Sequence, residues 1–433
     1  MWIRFQSTAI SGWVFLVTSA QLSLVLPNVH WYLTAMLTVV LGLSFRPVRW
    51  EALRFPLLAS FLLVVAICTV ALASTDPAHD LIEAGKLAVI LLLVLPLLAS
   101  DSRVAAAAMR GAEIAVFVNA GLAVSATLGF MPLLGVSTPG RFGTILNWPG
   151  SLWRVGMLTI ACSGLRFFAG VSGFRDLLLF VASALLIILD GSRTAYLIIL
   201  AGTFALAGAI FRTPSFRIRR KGSSTVLRRT LVAAMLVAGF IVAKSIVSSD
   251  RSGSFERGSN MLQTFIQGGD SLKDLDDTRS EMPAAAWSAI LDHPVLGTGM
   301  GTKRSSSEAG PMVVHIAYLQ LWADVGMLAF LSFSALVIGS IPALWIRYKP
   351  IAMVDAKQAA LFYNGIFLLG CWALAALFHP VATQLDPWIM FVLAYSCVVG
   401  SADAGVPAAS VIVPSAPFPL RTGIAPSAAF PRT

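Results

Sequence analysis

The chain consists mainly of long apolar runs separated by short polar segments. A membrane-spanning helix needs about 20 mostly apolar residues, because each residue adds about 1.5 Å along the helix axis. The run from 314 to 345 is long enough to tilt, kink or begin outside the membrane. The pattern predicts an all-α, polytopic integral membrane protein with about twelve transmembrane helices, at 9–26, 31–45, 55–74, 84–100, 111–132, 155–170, 175–190, 194–211, 229–248, 314–345, 359–378 and 386–401.

The composition supports a membrane protein and argues against a soluble one. Hydrophobic residues make up 57% of the chain and charged residues only 12%, whereas soluble domains carry about 25% charged residues. Such a chain could not cover a water-exposed surface with polar groups, so we expect membrane lipids around it. The net charge of +10 is explained by Lys and Arg in cytoplasmic loops. No nucleic-acid-binding module accompanies that charge, and we predict no nucleic-acid partner.

The distribution of positive charge predicts the orientation of the chain. Lys and Arg are more frequent in the short loops that lie on the same side as both termini, including the basic run 212–229. This bias predicts cytoplasmic termini. We therefore expect a transmembrane bundle over 1–402 that contains a long periplasmic loop at 249–313. Residues 403–433 are rich in Pro, Ala and Ser and predict a disordered cytoplasmic tail.

His315 stands at the outer end of a long apolar run, where an ionisable side chain is costly and is a candidate for function. A neutral imidazole with an ordinary pKa of about 6.5 can accept a proton near neutral pH, as a general base must. If the helix starts near Val314, Tyr318 lies on the same face as His315 and is a candidate for substrate contact. A hydrogen-bonded interfacial histidine is the alternative interpretation.

Two arginines are predicted on the same side of the membrane. Thr278 and Glu281 fit a capping box, which places Arg279 in the first turn of a helix, where anions are favoured. Arg193 follows Asp190-Gly191-Ser192, in which Gly191 can end one helix and Ser192 can cap the next. A planar guanidinium is suited to phosphate oxygens. The alternatives are an exposed ion pair for Arg279 and an interfacial anchor for Arg193.

Other features carry less weight. Arg141 and Arg154 lie in the shorter outside loop at 137–154 and are further candidates for substrate contact by location. The glycines of "GTGMG" (297–301) predict a tight turn that leads back to the membrane. The acidic loop at 274–276 spells Asp-x-Asp but lacks the spacing and the glycine of an EF-hand calcium loop, so we predict no metal and no cofactor.

Three motifs together resemble the O-antigen ligase and polymerase superfamily of bacterial inner-membrane proteins. "GSRTAYL" is similar to the Ser-Arg element of that family at the outer end of a span. "TRSEMPAAAWSAILDHPVLGTGMG" is similar to its Arg…Trp…Ala…His-Pro-hydrophobic-Leu-Gly-x-Gly-x-Gly signature. "HIAYLQLWADVGMLAF" is similar to its His-Asn-x-x-Leu…acidic-x-Gly pattern, although Ile316 stands where the family often has Asn.

The resemblance implies a GT-C-like glycosyltransferase, closest in pattern to a lipid A–core:O-antigen ligase. The donor would be a glycan on undecaprenyl diphosphate, and the acceptor would be a sugar of the lipid A–core oligosaccharide. By the motifs, Arg193 and Arg279 would bind the diphosphate and His315 would act as the general base. The reaction would be inverting, independent of metal, and located at the periplasmic face of the bacterial inner membrane.

Three alternatives remain open on the sequence alone. An O-antigen polymerase would extend a lipid-linked glycan with another such glycan, and a protein O-oligosaccharyltransferase would glycosylate a protein. A lipid or solute transporter is a different class that also suits twelve spans. Transporters, however, often place polar groups near the middle of the membrane and show a repeated half, whereas these candidates cluster at the outer edge.

Overall fold

The structure is a computed structural model that describes most of the chain. Several predicted features lie outside the described residues: the basic run 212–229, the span at 229–248, most of the acidic half of the long loop, and the tail 403–433. The described residues are 2–26, 28–42, 50–131, 142–168, 171, 173–192, 195–199, 201–202, 277–302, 305–307, 310–352, 355–380 and 385–402.

The described chain before residue 203 is helical. Residues 195–199 and 201–202 continue as helix after α8. Within α5, Val89–Val94 forms a π-helical segment. The helices are α1 Trp2–Val17, α2 Leu22–Val25, α3 Val29–Gly42, α4 Trp50–Ala71, α5 Pro77–Leu98, α6 Ser102–Thr127, α7 Leu152–Phe168 and α8 Phe174–Asp190.

The second described part adds one small hairpin to the helices. The strands β1 and β2 pair antiparallel, with Ser305 opposite Met312. The elements are α9 Asp277–Asp292, β1 Ser305–Ser307, β2 Gly310–Met312, α10 Ala317–Val325, α11 Met327–Ser334, α12 Ala356–Ala375 and α13 Leu385–Gly400. Helix α11 continues through the π-helical Ala335–Gly339 into Ser340–Ala352.

The helical class of the sequence prediction is confirmed. Among the described residues, five helices are long and apolar enough to cross a membrane: Trp50–Ala71, Pro77–Leu98, Ser102–Ala126, Met327–Pro350 and Ala356–Ala375. Val29–Gly42 and Pro387–Gly400 are apolar but shorter. The count of twelve spans stays a prediction.

The apolar run predicted as one span at 314–345 is two helices. The chain breaks at Gly326, whose φ is +99°, in the left-handed region that favours glycine. A Cβ at this position would overlap the carbonyl of Val295, so the break brings α10 and the preceding loop into backbone contact. The span is therefore α11 alone, and α10 is a separate short helix at its N-terminal end.

The core of the bundle is centred on α13. Nearly every described side chain of α13 is buried, and its aromatic rings pack against those of α11 and α12. Trp372 of α12 lies 4.7 Å from Trp388 and 5.4 Å from Phe333, measured between ring centroids. Aromatic packing of this kind adds to the stabilisation from apolar burial, and it ties α11, α12 and α13 together beneath the site described next.

Contacts between chain-distant residues show which helix ends share one end of the bundle. The C-terminal ends of α4, α8 and α12 lie there, with the N-terminal ends of α5, α7 and α10. The contacts are Asp80 with Met300, Asp190 with Gly150, Ala317 with Ala376, and Trp153 with His379. At the opposite end, Arg347 of α11 donates to Glu51 of α4.

Candidate active site at one end of the bundle

His315 lies before α10 rather than within it. The helix begins at Ala317, with Ile316 as the N-cap residue, so the shared helical face assumed for His315 and Tyr318 does not exist. The Nδ1 atom of the half-buried imidazole is 2.9 Å from the carbonyl oxygen of Val313. A carbonyl oxygen only accepts hydrogen bonds, so Nδ1 carries the proton in the neutral ring. The lone pair that can accept a proton is then on Nε2.

The start of α10 is anchored to the C-terminal end of α12. The N–H of Ala317 donates to the carbonyl of Ala376 at 2.8 Å, and the hydroxyl of Tyr318 donates to that of Ala373 at 3.4 Å. The Tyr318 ring packs edge-on against Phe333. Burial raises the pKa of Tyr318 to about 12, because the charged phenolate is disfavoured there. Tyr318 therefore stays protonated at neutral pH, and its role in substrate contact stays a prediction.

The backbone of Arg279 lies in the first turn of α9, as predicted. The helix begins at Asp277, one residue before the expected cap Thr278, and the side chains of 277–281 lie outside the described set. α9 packs against the segment that carries His315. Its residues Ala286 and Ile290 share a small apolar cluster with Val314 and Ala323.

The helices α9 and α10 end close together, because the backbones of Val295 and Gly326, just after each helix, are in contact. Two neighbouring helices whose C-terminal ends meet run in the same direction. The rings of Trp287 and Trp322 meet at 6.1 Å, and Nε1 of Trp322 donates to the carbonyl of Pro294, just after α9. Helical rise places position 279 about 12 Å before Trp287. Helical rise and two extended residues place His315 at most about 15 Å before Trp322. The backbones of these two candidates therefore lie at the same end of the pair.

The "GTGMG" segment forms a tight turn, as predicted, and the structure shows what it packs against. The N–H groups of Gly299 and Gly301 donate to Asp324 of α10, to its carbonyl and its carboxyl group respectively, both at 2.9 Å. The N–H between them, on Met300, donates to Asp80 of α5 at 2.6 Å. Asp80 and Asp324 are both almost fully buried. Asp324 stands at the acidic position of the third motif, whereas nothing in the sequence around Asp80 indicated a partner.

Gly191 ends α8, as expected, with φ at +65°. Sequence reasoning overlooked the residue before it. Asp190 is fully buried, and its carboxyl group accepts the N–H groups of Gly150 at 3.0 Å and Trp153 at 3.2 Å. This carboxyl group thereby caps the N-terminus of α7. Arg193, three positions later in the sequence, lies outside the described residues, as does Arg141.

A ring stack connects the Asp190 region to the His315 region. Trp153, at the start of α7, stacks on His379 with ring centroids 6.1 Å apart. His379 follows the turn that contains Ala376, the acceptor for Ala317. Arg154 is half-buried, with its guanidinium 5.7 Å from the centre of the Trp153 ring. Of the predicted site residues, the structure thus brings His315, Arg154 and Tyr318 to one end of the bundle, with the backbone of Arg279.

We expect Asp190→Ala to destabilise the protein. The substitution leaves two N–H groups at the start of α7 without their acceptor in a buried place, which costs about 1–3 kcal/mol. Thermal unfolding of the detergent-solubilised protein would measure the change in Tm. Asp355→Ala is the matched control, because Asp355 also accepts two backbone N–H groups at a helix start but is exposed. Equal shifts in Tm for both variants would contradict the prediction.

Within the described ranges, no group of three or more His, Cys, Asp or Glu side chains is placed to hold a metal ion. The acidic loop at 274–276 lies outside those ranges. The three cysteines Cys162, Cys371 and Cys397 are buried free thiols, and Cys68 is half-buried.

The fold and the site define a polytopic helical membrane protein with ionisable side chains gathered at one end of its bundle. Residues 178–334 match a family model described as O-antigen ligase. The matched region extends from α8 to the start of α11 and contains all three motifs. The match confirms the resemblance to the O-antigen ligase and polymerase superfamily and implies a glycosyltransferase activity of the ligase or polymerase type. No curated protein matched the chain.

Proposed function

We propose that this protein is an O-antigen ligase of the bacterial inner membrane. It transfers a glycan from undecaprenyl diphosphate to a sugar of the lipid A–core oligosaccharide at the periplasmic face, with inversion and without a metal. One observation carries the proposal: the segment that bears His315 packs beside α9, which bears Arg279, and both lie within the region that matches the family model.

His315 is the general base in this proposal. Its Nε2 atom takes the proton of the acceptor hydroxyl while the hydroxyl oxygen attacks the anomeric carbon of the donor. The bond between that carbon and the diphosphate oxygen breaks, and its electron pair leaves with the diphosphate. Attack from the face opposite the leaving group inverts the anomeric centre. The hydrogen bond from Nδ1 to the Val313 carbonyl supports this role, because it fixes the tautomer with the basic nitrogen on Nε2.

Arg193 and Arg279 stabilise the departing diphosphate in this proposal. Negative charge grows on the diphosphate as the bond breaks, and cations placed in advance lower the energy of that state. The first turn of α9 also offers backbone N–H groups that favour anions. Arg193 follows Asp190, whose contacts to α7 lead through Trp153 and His379 to the end of α12, and this supports convergence of the two arginines near His315.

The distribution of basic residues supports a periplasmic site. Several lie at the end of the bundle opposite His315, near the starts of α4, α6, α8 and α12 and the end of α11. They are Arg54, Arg103, Arg110, Arg175, Arg347, Lys349 and Lys357. Basic residues concentrate on the cytoplasmic side of membrane proteins, so the His315 end faces the periplasm in this proposal.

A cavity supports a lipid-linked donor. It has a volume of about 390 Å³ and an almost wholly apolar lining that includes Ile198, Trp345, Phe367 and Leu374. Leu374 directly follows Ala373, the acceptor for the Tyr318 hydroxyl. The cavity therefore begins just below the site, where the polyprenyl chain of the donor could lie while its diphosphate stays among the arginines.

A reconstituted assay tests the proposal. Purified protein in liposomes without an ion gradient would be given undecaprenyl-diphosphate-linked repeat units together with lipid A–core, with further lipid-linked units, or with a pilin-like protein. We expect transfer to lipid A–core, at a rate that a chelator leaves unchanged. Elongation of the lipid-linked glycan instead would identify a polymerase. Glycosylation of the pilin-like protein would identify a protein glycosyltransferase, and no transfer to any acceptor would reject the proposal.

A further inference from the structure

The turn at Gly299–Gly301 is held from two sides by buried aspartates. Three consecutive N–H groups point to them: those of Gly299 and Gly301 to Asp324, and that of Met300 to Asp80. Both glycines have left-handed φ values, +116° and +71°. Alternating conformations of this kind direct successive N–H groups toward one region, which suits negatively charged groups. Two helices from distant parts of the chain thus meet at one turn.

Asp80 attaches this turn to the membrane bundle. It lies in the first turn of α5 and is 1% exposed. One carboxyl oxygen accepts the Met300 N–H, and the other, Oδ2, has no hydrogen-bond partner among the described residues. The turn also lies close to the loop before α5, because a Cβ added to Gly299 would be 3.3 Å from that of Ser74. The Met300 bond is therefore a polar link from α5 to the turn.

The turn moves together with α9 and α10. A Cβ at Gly297 would overlap the backbone of Asp324, and a Cβ at Gly326 would overlap that of Val295. Backbones in such close contact, together with the apolar cluster between the two helices, favour movement as a single body. We call α9, the turn and α10 the rim unit, which covers residues 277–302 and 317–325.

Two polar attachments hold opposite ends of the rim unit. At the His315 end, the N–H of Ala317 donates to Ala376 of the α12 end. At the other end, the N–H of Met300 donates to Asp80. Loss of the second attachment leaves the first in place, so the start of α10 stays bonded to α12. His315 lies outside the rim unit and beside this remaining attachment, whereas position 279 lies within the rim unit and would shift with α9.

We propose that Asp80 is a positioning residue for Arg279. By holding the turn against α5, its carboxyl group sets the position of α9, and therefore that of the arginine which binds the donor diphosphate. This inference rests on the proposed function, since it assigns Arg279 to the donor. Loss of the Asp80 carboxyl group should therefore impair use of the donor and not use of the acceptor, although Asp80 contacts neither substrate.

Hydrogen exchange and steady-state kinetics test this proposal on the full-length protein. The variants are Asp80→Ala, which removes the acceptor, and Asp80→Asn, which keeps an oxygen that can accept from Met300. Asp76→Ala is the matched control: Asp76 caps the same helix through the N–H of His79 but is exposed. Exchange is followed by mass spectrometry in the peptide that contains 299–301, and KM is measured separately for the donor and for the acceptor.

We expect Asp80→Ala to raise amide exchange at the turn, because an N–H without its acceptor opens more readily. It should raise the KM for the donor about tenfold or more and leave the KM for the acceptor unchanged. Asp80→Asn should restore the donor KM to within about threefold of the parent, and Asp76→Ala should change neither value. In an Arg279→Ala background, Asp80→Ala should raise the donor KM no further, since coupled residues are non-additive.

Other outcomes would overturn the proposal. Unchanged amide exchange at the turn in Asp80→Ala would show that the bond from Met300 to Asp80 does not hold the turn against α5. Simple destabilisation would lower the active fraction and hence the maximal rate, with both KM values unchanged. If Asp80→Ala raises the donor KM further in the Arg279→Ala background, Asp80 does not act through Arg279. If the parent protein shows no glycan transfer, the proposed function fails instead, and the exchange result still reports on the attachment.

Discussion

Replacing His315 with alanine should abolish glycan transfer and leave the protein folded. A general base contributes about 10²- to 10⁴-fold to a reaction rate, and the imidazole is the group that we assign to the acceptor proton. The hydrogen bond from His315 to Val313 lies within two residues of the chain, and the start of α10 is held by the backbone of Ala317. The initial rate of transfer at saturating donor and acceptor would measure the effect, with Tm as the test of folding.

His293→Ala is the matched control for this experiment. His293 directly follows α9 and is exposed, so its substitution tests the loss of a histidine from the same loop without touching the proposed base. We expect its rate and its Tm to equal those of the parent. Normal ligation by His315→Ala would remove His315 as the base, and a large fall in Tm for that variant would reassign the histidine to folding.

The features that the sequence predicted well depend on neighbouring residues. The helical class follows from apolar runs of spanning length, and the end of α8 follows from Gly191, which adopts the expected left-handed conformation. The first turn of α9 was placed within two residues by a local capping pattern, although Thr278 lies inside the helix rather than at its cap. In each case the interactions that decide the structure lie within one or two helical turns, so the local sequence contains the information.

The features that the sequence did not predict depend on contacts between distant segments. The run 314–345 reads as one apolar helix, and its break at Gly326 is explained only by the approach of Val295. The structure starts α10 at Ala317 rather than near Val314, and the Ala317 N–H donates to the carbonyl of Ala376 at the end of α12. As a result, His315 lies before the helix rather than on its face.

The aspartates near the site were missed for the same reason. Asp80 bonds a residue 220 positions away, and Asp190 bonds residues 37 and 40 positions away. Asp190 ends an apolar run, which indicates that a partner exists but does not say which segment supplies it. Asp80 stands in a polar segment that gives no such signal. The catalytic candidates were easier to find, because the motifs of the superfamily stand in order along the chain.

Replacing Arg279 with alanine should reduce donor use strongly. Removal of one group that stabilises charge in the transition state typically costs about 10²- to 10³-fold in kcat, and we expect the KM for the donor to rise as well. Arg279→Lys should lie between the parent and Arg279→Ala, since it keeps the charge but loses the planar pair of donors. The measurements are kcat and the separate KM values for donor and acceptor, with binding of undecaprenyl diphosphate alone as a test independent of turnover.

The acceptor side and a distant arginine are the controls for Arg279. The KM for lipid A–core should stay unchanged, because the proposal assigns that substrate to His315. Arg347→Ala should leave the KM values for the donor and for lipid A–core unchanged. Arg347 pairs with Glu51 at the opposite end of the bundle, and both side chains are exposed. Parent-like binding of undecaprenyl diphosphate by Arg279→Ala would remove this arginine from the donor site. The packing of α9 against the His315 segment would then have to serve the acceptor or the fold instead.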